Sequence, residues 1–157
     1  VVSQARSPAF YADMGVSDSL EGRFDLLVLH LHLVVRRLSR PGLDGGASLG
    51  QKLFDTFFHD MDRTLRAIGV GDMSVGKKVK DMVRAYYGRC AVYEEALADA
   101  GDAALVEALS RNVFAGGDGD AESLAAYVRR AQASIDAQPE QQILSGSVAF
   151  PPVGGGA

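Results

Sequence analysis

The sequence predicts an all-α fold: a single-domain bundle of about six to seven helices around a buried central helix at about residues 20–38. Three observations carry this. Apolar residues recur at three- and four-residue spacing almost throughout, and no stretch alternates long enough to make a half-buried strand. Clusters rich in Gly and Pro separate the periodic segments. The longest apolar run, Phe24 to Val35, is interrupted only by Asp25, His30 and His32, and so suits a helix buried on most faces.

The elements follow in order. A short helix covers about Pro8 to Met14, and Gly15 stops it. Ser17 or Asp18 caps the second, with Glu21 three residues after Asp18 as in a capping box. It runs to about Leu38, with Phe24, Leu27, Val28, Leu31, Val35 and Leu38 on one stripe and Leu26, Leu29 and Leu33 on the other side. The loop Pro41–Gly46 precedes a third helix from Ser48 to about Ile68. There Leu49, Leu53, Phe57, Met61, Leu65 and Ile68 make one continuous face. Gly69–Asp72 is a tight turn. A fourth helix turns Val75, Val79, Met82, Val83 and Tyr86 inward, and a fifth covers about Arg89 to Ala100. A sixth runs from Asp102 to Phe114, and a seventh, capped by Asp120, reaches about Asp136. Pro139 marks a break before a helical turn at Glu140–Leu144. The helical domain thus spans residues 1–145, and 146–157 form a flexible Pro/Gly-rich tail.

A chain of 157 residues buries roughly two-thirds of its unfolded surface and needs neither metal nor disulfide to hold a core. Cys90 is the only cysteine, which excludes an intramolecular disulfide and fits a reducing compartment. No membrane-spanning run and no secretory pattern is visible. The opening Val1-Val2, without methionine, is expected of an excerpt from a longer protein. The net charge of -4 is uneven: residues 1–89 carry 13 Lys/Arg against 10 Asp/Glu, and residues 90–157 carry 3 against 10.

The residue patterns point away from catalysis. His30 and His32, two residues apart on a helix, diverge and read as core histidines rather than as a metal pair. Asp55, His59 and Asp62 share a face, which reads as solvated charge in the absence of a further ligand. Gly69-x-Gly71 with Gly76-Lys77-Lys78 lacks the Ser/Thr and the preceding strand of a phosphate loop. No catalytic residue, metal or cofactor is expected. The distinctive surface is instead a basic face of Lys77, Lys78, Lys80 and Arg84, with Arg89 beyond it. It suits an anionic surface: ribosomal RNA, an anionic membrane or an acidic partner, and the acidic chain as a whole argues against DNA. Glu21 and Arg23 form a second candidate surface. Phe10, Tyr11, Tyr86, Tyr87 and Tyr93 either line an apolar groove or pack in the core.

Read together, several motifs carry a resemblance. They are Pro8-x-Phe10-Tyr11, Asp18-Ser19-x-Glu21-Gly22-Arg23-Phe24, His30 in its apolar helix, and Phe57-Phe58-x-Asp60-Met61-Asp62. They continue with Gly69-Val70-Gly71-Asp72, Val75-x-Lys77-x-Val79-Lys80, and Tyr87-Gly88-Arg89 followed by Tyr93. In their order and spacing, over about residues 3 to 135, the chain resembles the ubiquinol–cytochrome c chaperone family, assembly factors for respiratory complex III. Asp18-Ser19 stands where that family pattern has Asp-Thr. The resemblance implies an all-α, non-catalytic chaperone that binds newly made, unassembled cytochrome b near the ribosome, with a small accessory assembly factor. The Ala-, Gly-, Asp- and Arg-rich composition favours a bacterial source, and the resemblance then implies an alphaproteobacterial member, acting in the cytoplasm at the inner membrane (the matrix side in a mitochondrion). The alternative is a helical small-molecule binder for lipid, quinone or haem with a pocket between helices.

Overall fold

The computed structural model describes residues 1–154, and among them every regular element is helical. The order is α1 (Val2–Ala5), α2 (Pro8–Ala12), α3 (Leu20–Leu38), α4 (Gly46–Ala67), α5 (Asp72–Ala98), α6 (Ala103–Asn112), α7 (Ala121–Ala137) and α8 (Glu140–Leu144). The expected all-α single domain is what the chain forms. Helix α3 is its axis: it packs against α1, α4, α5 and α7. Leu26, Val28, Leu29 and Leu31 on different sides of α3 are all essentially inaccessible. A helix apolar all round can be stable in water only in such a central position.

Three local expectations needed correction. The N-cap of α3 is Ser19, not Ser17 or Asp18: its side chain accepts from the Gly22 amide at 3.1 Å. Asp18 instead pairs with Arg23. Helix α4 begins two residues before Ser48, because Gly45 takes a left-handed conformation (φ 81°) that turns the chain directly into the helix. The fourth and fifth helices are one, the 27-residue α5. Gly88 costs about 1 kcal/mol in a helix interior. That is outweighed because Val75, Val79, Met82, Tyr86, Cys90, Tyr93 and Leu97 form one unbroken inward stripe through it.

At the far end of α5, Arg129 of α7 donates to the carbonyls of Ala96, Leu97, Asp99 and Gly101. It thereby satisfies carbonyls that the helix end leaves without partners. Asp120 caps α7 as expected, accepting from the Ser123 amide at 2.9 Å.

The Pro/Gly-rich tail lies along the domain over its described part. Gln138 donates to the Ala149 carbonyl and accepts from the Ala149 amide, at 2.7 and 2.9 Å. The Phe150 ring packs edge-on to His30, and Val153 is buried. Residues 155–157 of the expected flexible tail lie outside the described residues.

Candidate functional site

The start of α3 is held in place by close backbone packing. A Cβ on Gly22 would lie 2.1 Å from the Ser17 carbonyl oxygen, so only glycine lets residues 17–18 cross the helix there. This crossing turns Leu20, Glu21 and Phe24 toward the end of α4 and the first turns of α5. Together they form an open cleft of about 280 Å³. Its floor is Leu20, Phe24, Leu65 and Met82, and its rim is Glu21, Lys78 and Asp81. A second apolar cleft, of about 480 Å³, lies between α1, α3 and α4. Leu27, Leu31, Leu53, Phe57 and Met61 floor it, and Arg6, Asp60 and Arg63 stand at its edge.

The structure thus brings Glu21 and Lys78, far apart in the sequence, to one cleft. Lys77, Lys78 and Lys80 are exposed, and none has an ion-pair partner among the described residues. The arginines nearby are engaged: Arg84 with Asp81 at 3.2 Å, and Arg66 with both Asp62 and Asp72. Arg23 leaves the cleft for Asp18, at 2.7 Å, and lines a separate notch with Arg6 and Tyr11.

Arg89 is not on the rim. It reaches inward to Asp25 at 2.7 Å, with its guanidinium 5.8 Å from the centre of the Phe24 ring. Asp25 is 7% exposed. Burial pushes its carboxyl up to about 6, although Arg89 pulls it down. A buried carboxylate demands a counter-charge, which is why the arginine turns in.

The five aromatics do not line a single groove. Phe10 and Tyr93 are fully buried and Tyr86 nearly so. Tyr11 is half-buried and donates its hydroxyl to the Ala5 carbonyl at 3.0 Å. Only Tyr87 is largely exposed, at 58%, at the edge of a cluster with Phe54, Phe58 and Tyr86. The inward helical register of Phe10, Tyr86 and Tyr93, on faces already apolar, makes these three core residues.

His30 and His32 are both buried in α3, and burial pulls each down to about 4. His30 Nδ1 lies 2.7 Å from the Leu26 carbonyl and Nε2 lies 2.8 Å from the Tyr127 hydroxyl. Both nitrogens are therefore committed, and neither has a lone pair to offer a haem iron. His32 Nε2 sits 3.6 Å from Glu94. Among the described residues no three His, Cys, Asp or Glu side chains converge as a metal site. Asp55 bonds to Gln51, and Asp62 to Arg66.

The apolar cleft residues escaped sequence reasoning because Phe24, Leu65 and Met82 read as ordinary core positions. The one available signal was Leu20, apolar at the first, water-facing position of a capped helix. Asp25 carried a signal too, as a carboxylate inside an apolar run.

Comparison with known proteins bears on these surfaces. A family model described as ubiquinol-cytochrome C chaperone matches residues 12–150. The chain belongs to that family. Its fold is shared with the crystal structure of the Cbp3 homolog from Brucella abortus, at a TM-score of 0.87 and 32% identity. The match covers 97% of this chain and 84% of that one. No curated protein matches the chain. The family assignment makes a chaperone role the frame for the clefts on α3, α4 and α5. Among the described residues no helix is long and apolar enough to cross a membrane.

Proposed function

We propose that the chain is a non-catalytic assembly chaperone that binds newly made cytochrome b and promotes assembly of ubiquinol–cytochrome c reductase at the inner membrane. The observation that carries this reading is the pair of open apolar clefts with charged rims, on a chain of the chaperone family. A client with membrane segments exposes apolar side chains before insertion, and these cost free energy in water. Clefts floored by Leu, Phe and Met accept such side chains without demanding one shape, since unbranched Met adapts to its neighbour. Charged rims give register and disfavour unrelated partners. The clefts are shallow and open, which suits a client that must leave again.

The test is affinity purification of the tagged protein in mild detergent, with cytochrome b identified by mass spectrometry. Cytochrome b should be enriched in its unassembled form. A deletion strain should lose assembled complex III; unchanged complex III levels would overturn the proposal.

A further inference from the structure

We infer that the α4–α5 turn and the outer stripe of α5 form a docking edge for an anionic lipid bilayer. Two of the most exposed large apolar side chains flank this turn: Ile68 at 60% and Met73 at 98%. Met73 stands at the second position of α5, and Lys77, Lys80 and Arg84 follow it at four, seven and eleven residues. That spacing puts all four on one face of the helix. The buried Val75 and Tyr86 hold the opposite face to the domain, so the stripe points to solvent.

The charge at this edge is of one sign once internal pairs are set aside. Asp60, Asp62, Asp72 and Asp81 are each paired with an arginine. Lys77 and Lys80 are left without partners among the described residues, as is Lys78 on the cleft side. An apolar tip followed by free lysines matches the profile of a bilayer surface: acyl boundary first, anionic headgroups next. A nucleic acid would prefer a larger basic field, with aromatic platforms among the charges. No aromatic residue lies between Ile68 and Ala85. This inference rests on the preceding one only in assuming that a membrane is within reach.

Co-sedimentation with vesicles tests it, comparing phosphatidylcholine alone with an equal mixture of phosphatidylcholine and phosphatidylglycerol. The wild type should bind the anionic vesicles and leave the neutral ones, with binding weakened by salt. K77Q/K80Q should lower partitioning about twenty-fivefold, at roughly fivefold per lysine. Met73→Ser should lower it about fivefold by removing the inserted side chain. All three positions are exposed, and unchanged circular dichroism and urea midpoints confirm intact folding. Failure to bind anionic vesicles, or binding that K77Q/K80Q retains, overturns the inference. So does lysine-dependent binding to single-stranded RNA with none to vesicles. Capture of cytochrome b in detergent by the same variants separates the two readings. K77Q/K80Q should keep the client while losing the vesicles, whereas loss of client capture by the wild type would sink the chaperone reading alone.

Discussion

Tyr127 donates its hydroxyl hydrogen to His30 Nε2 across 2.8 Å, where both residues are fully buried. The neighbours fix the direction. The Leu26 carbonyl can only accept, so His30 Nδ1 carries the proton and Nε2 must be the acceptor. Tyr127 therefore spends its one hydrogen on His30 and accepts from Gln4 Nε2 at 3.0 Å. The Gln4 amide also donates to the Pro151 carbonyl at 3.1 Å. One satisfied polar chain thus ties α1, α3, α7 and the C-terminal strap together.

Replacing Tyr127 by Phe should cost about 1–3 kcal/mol, because it keeps the ring but strands His30 Nε2 in the core. The measurement is urea unfolding, with a lower midpoint and an unchanged m-value. A midpoint equal to wild type would mean that water or a neighbour replaces the hydroxyl.

Acid sensitivity follows from three buried groups. His30 and His32 are each lowered to about 4 in the folded state, so their stabilising contribution is full above about pH 6.5 and is lost as pH falls toward 4. Asp25, raised to about 6, has the opposite sign: its contribution is full below its unfolded value of 3.8 and is lost as pH rises through 6. Near about pH 5 the unfolded chain holds two more histidine protons, and the folded chain one more aspartate proton. The net difference of one proton makes stability rise by about 1.4 kcal/mol per pH unit. Asp25→Asn should roughly double that slope, whatever it does to absolute stability. Urea titrations at several pH values measure it, and a slope unchanged in the variant would show that Asp25 is ionised at pH 5.

The Asp25–Arg89 pair predicts a pH-dependent mutational cost. Arg89→Met leaves a buried carboxylate without its counter-charge and should cost about 3 kcal/mol near pH 8. Near about pH 5 Asp25 takes up a proton, so the cost should fall to less than half. Equal losses at the two pH values would show that Arg89 acts through packing on Phe24 instead.

Which parts of this fold were legible depends on whether the signal was local. Helix α7 starts where Asp120 announces it, and α8 follows Pro139, because caps and prolines act within a few residues. The merger of two expected helices into α5 was not legible, since Gly88 is a local break outweighed by tertiary packing of the stripe on either side. The same holds for Arg89 and for the strap. Whether a surface arginine turns inward depends on Asp25, far away in the sequence. Whether 147–153 lie on the domain depends on Gln4, Arg130 and Gln138. The lysines needed no partner to be seen as exposed, but their meeting with Glu21 required the fold.

Gly22→Ala should destabilise the start of α3 by about 1–3 kcal/mol, because the new Cβ meets backbone rather than a flexible side chain. Hydrogen exchange should locate the loosening at residues 17–24, and client capture should fall with it if the cleft's first wall is disturbed. Protection unchanged in that segment would show that residues 17–18 can move aside freely.

The cleft beside Lys78 gives the sharpest test of the chaperone reading. Lys78 is exposed and without an ion-pair partner among the described residues, so Lys78→Glu should leave stability within about 0.5 kcal/mol of wild type. On the rim it would add a third carboxylate to Glu21 and Asp81 and remove the lysine charge that offsets them. Leu20, 44% exposed at the first turn of α3, offers a separate apolar handle. Leu20→Ser removes floor contact without touching charge. If a client seats its side chains here, each variant should reduce the cytochrome b recovered in detergent by about tenfold, the equivalent of 1.4 kcal/mol. The charge variant should recover partly in high salt if its partner side chain is acidic, because salt screens the new repulsion, and lose further in high salt if that side chain is basic. Full recovery by both variants would move the client to the α1–α3–α4 cleft, where Met61→Ser and Leu53→Ser become the decisive pair.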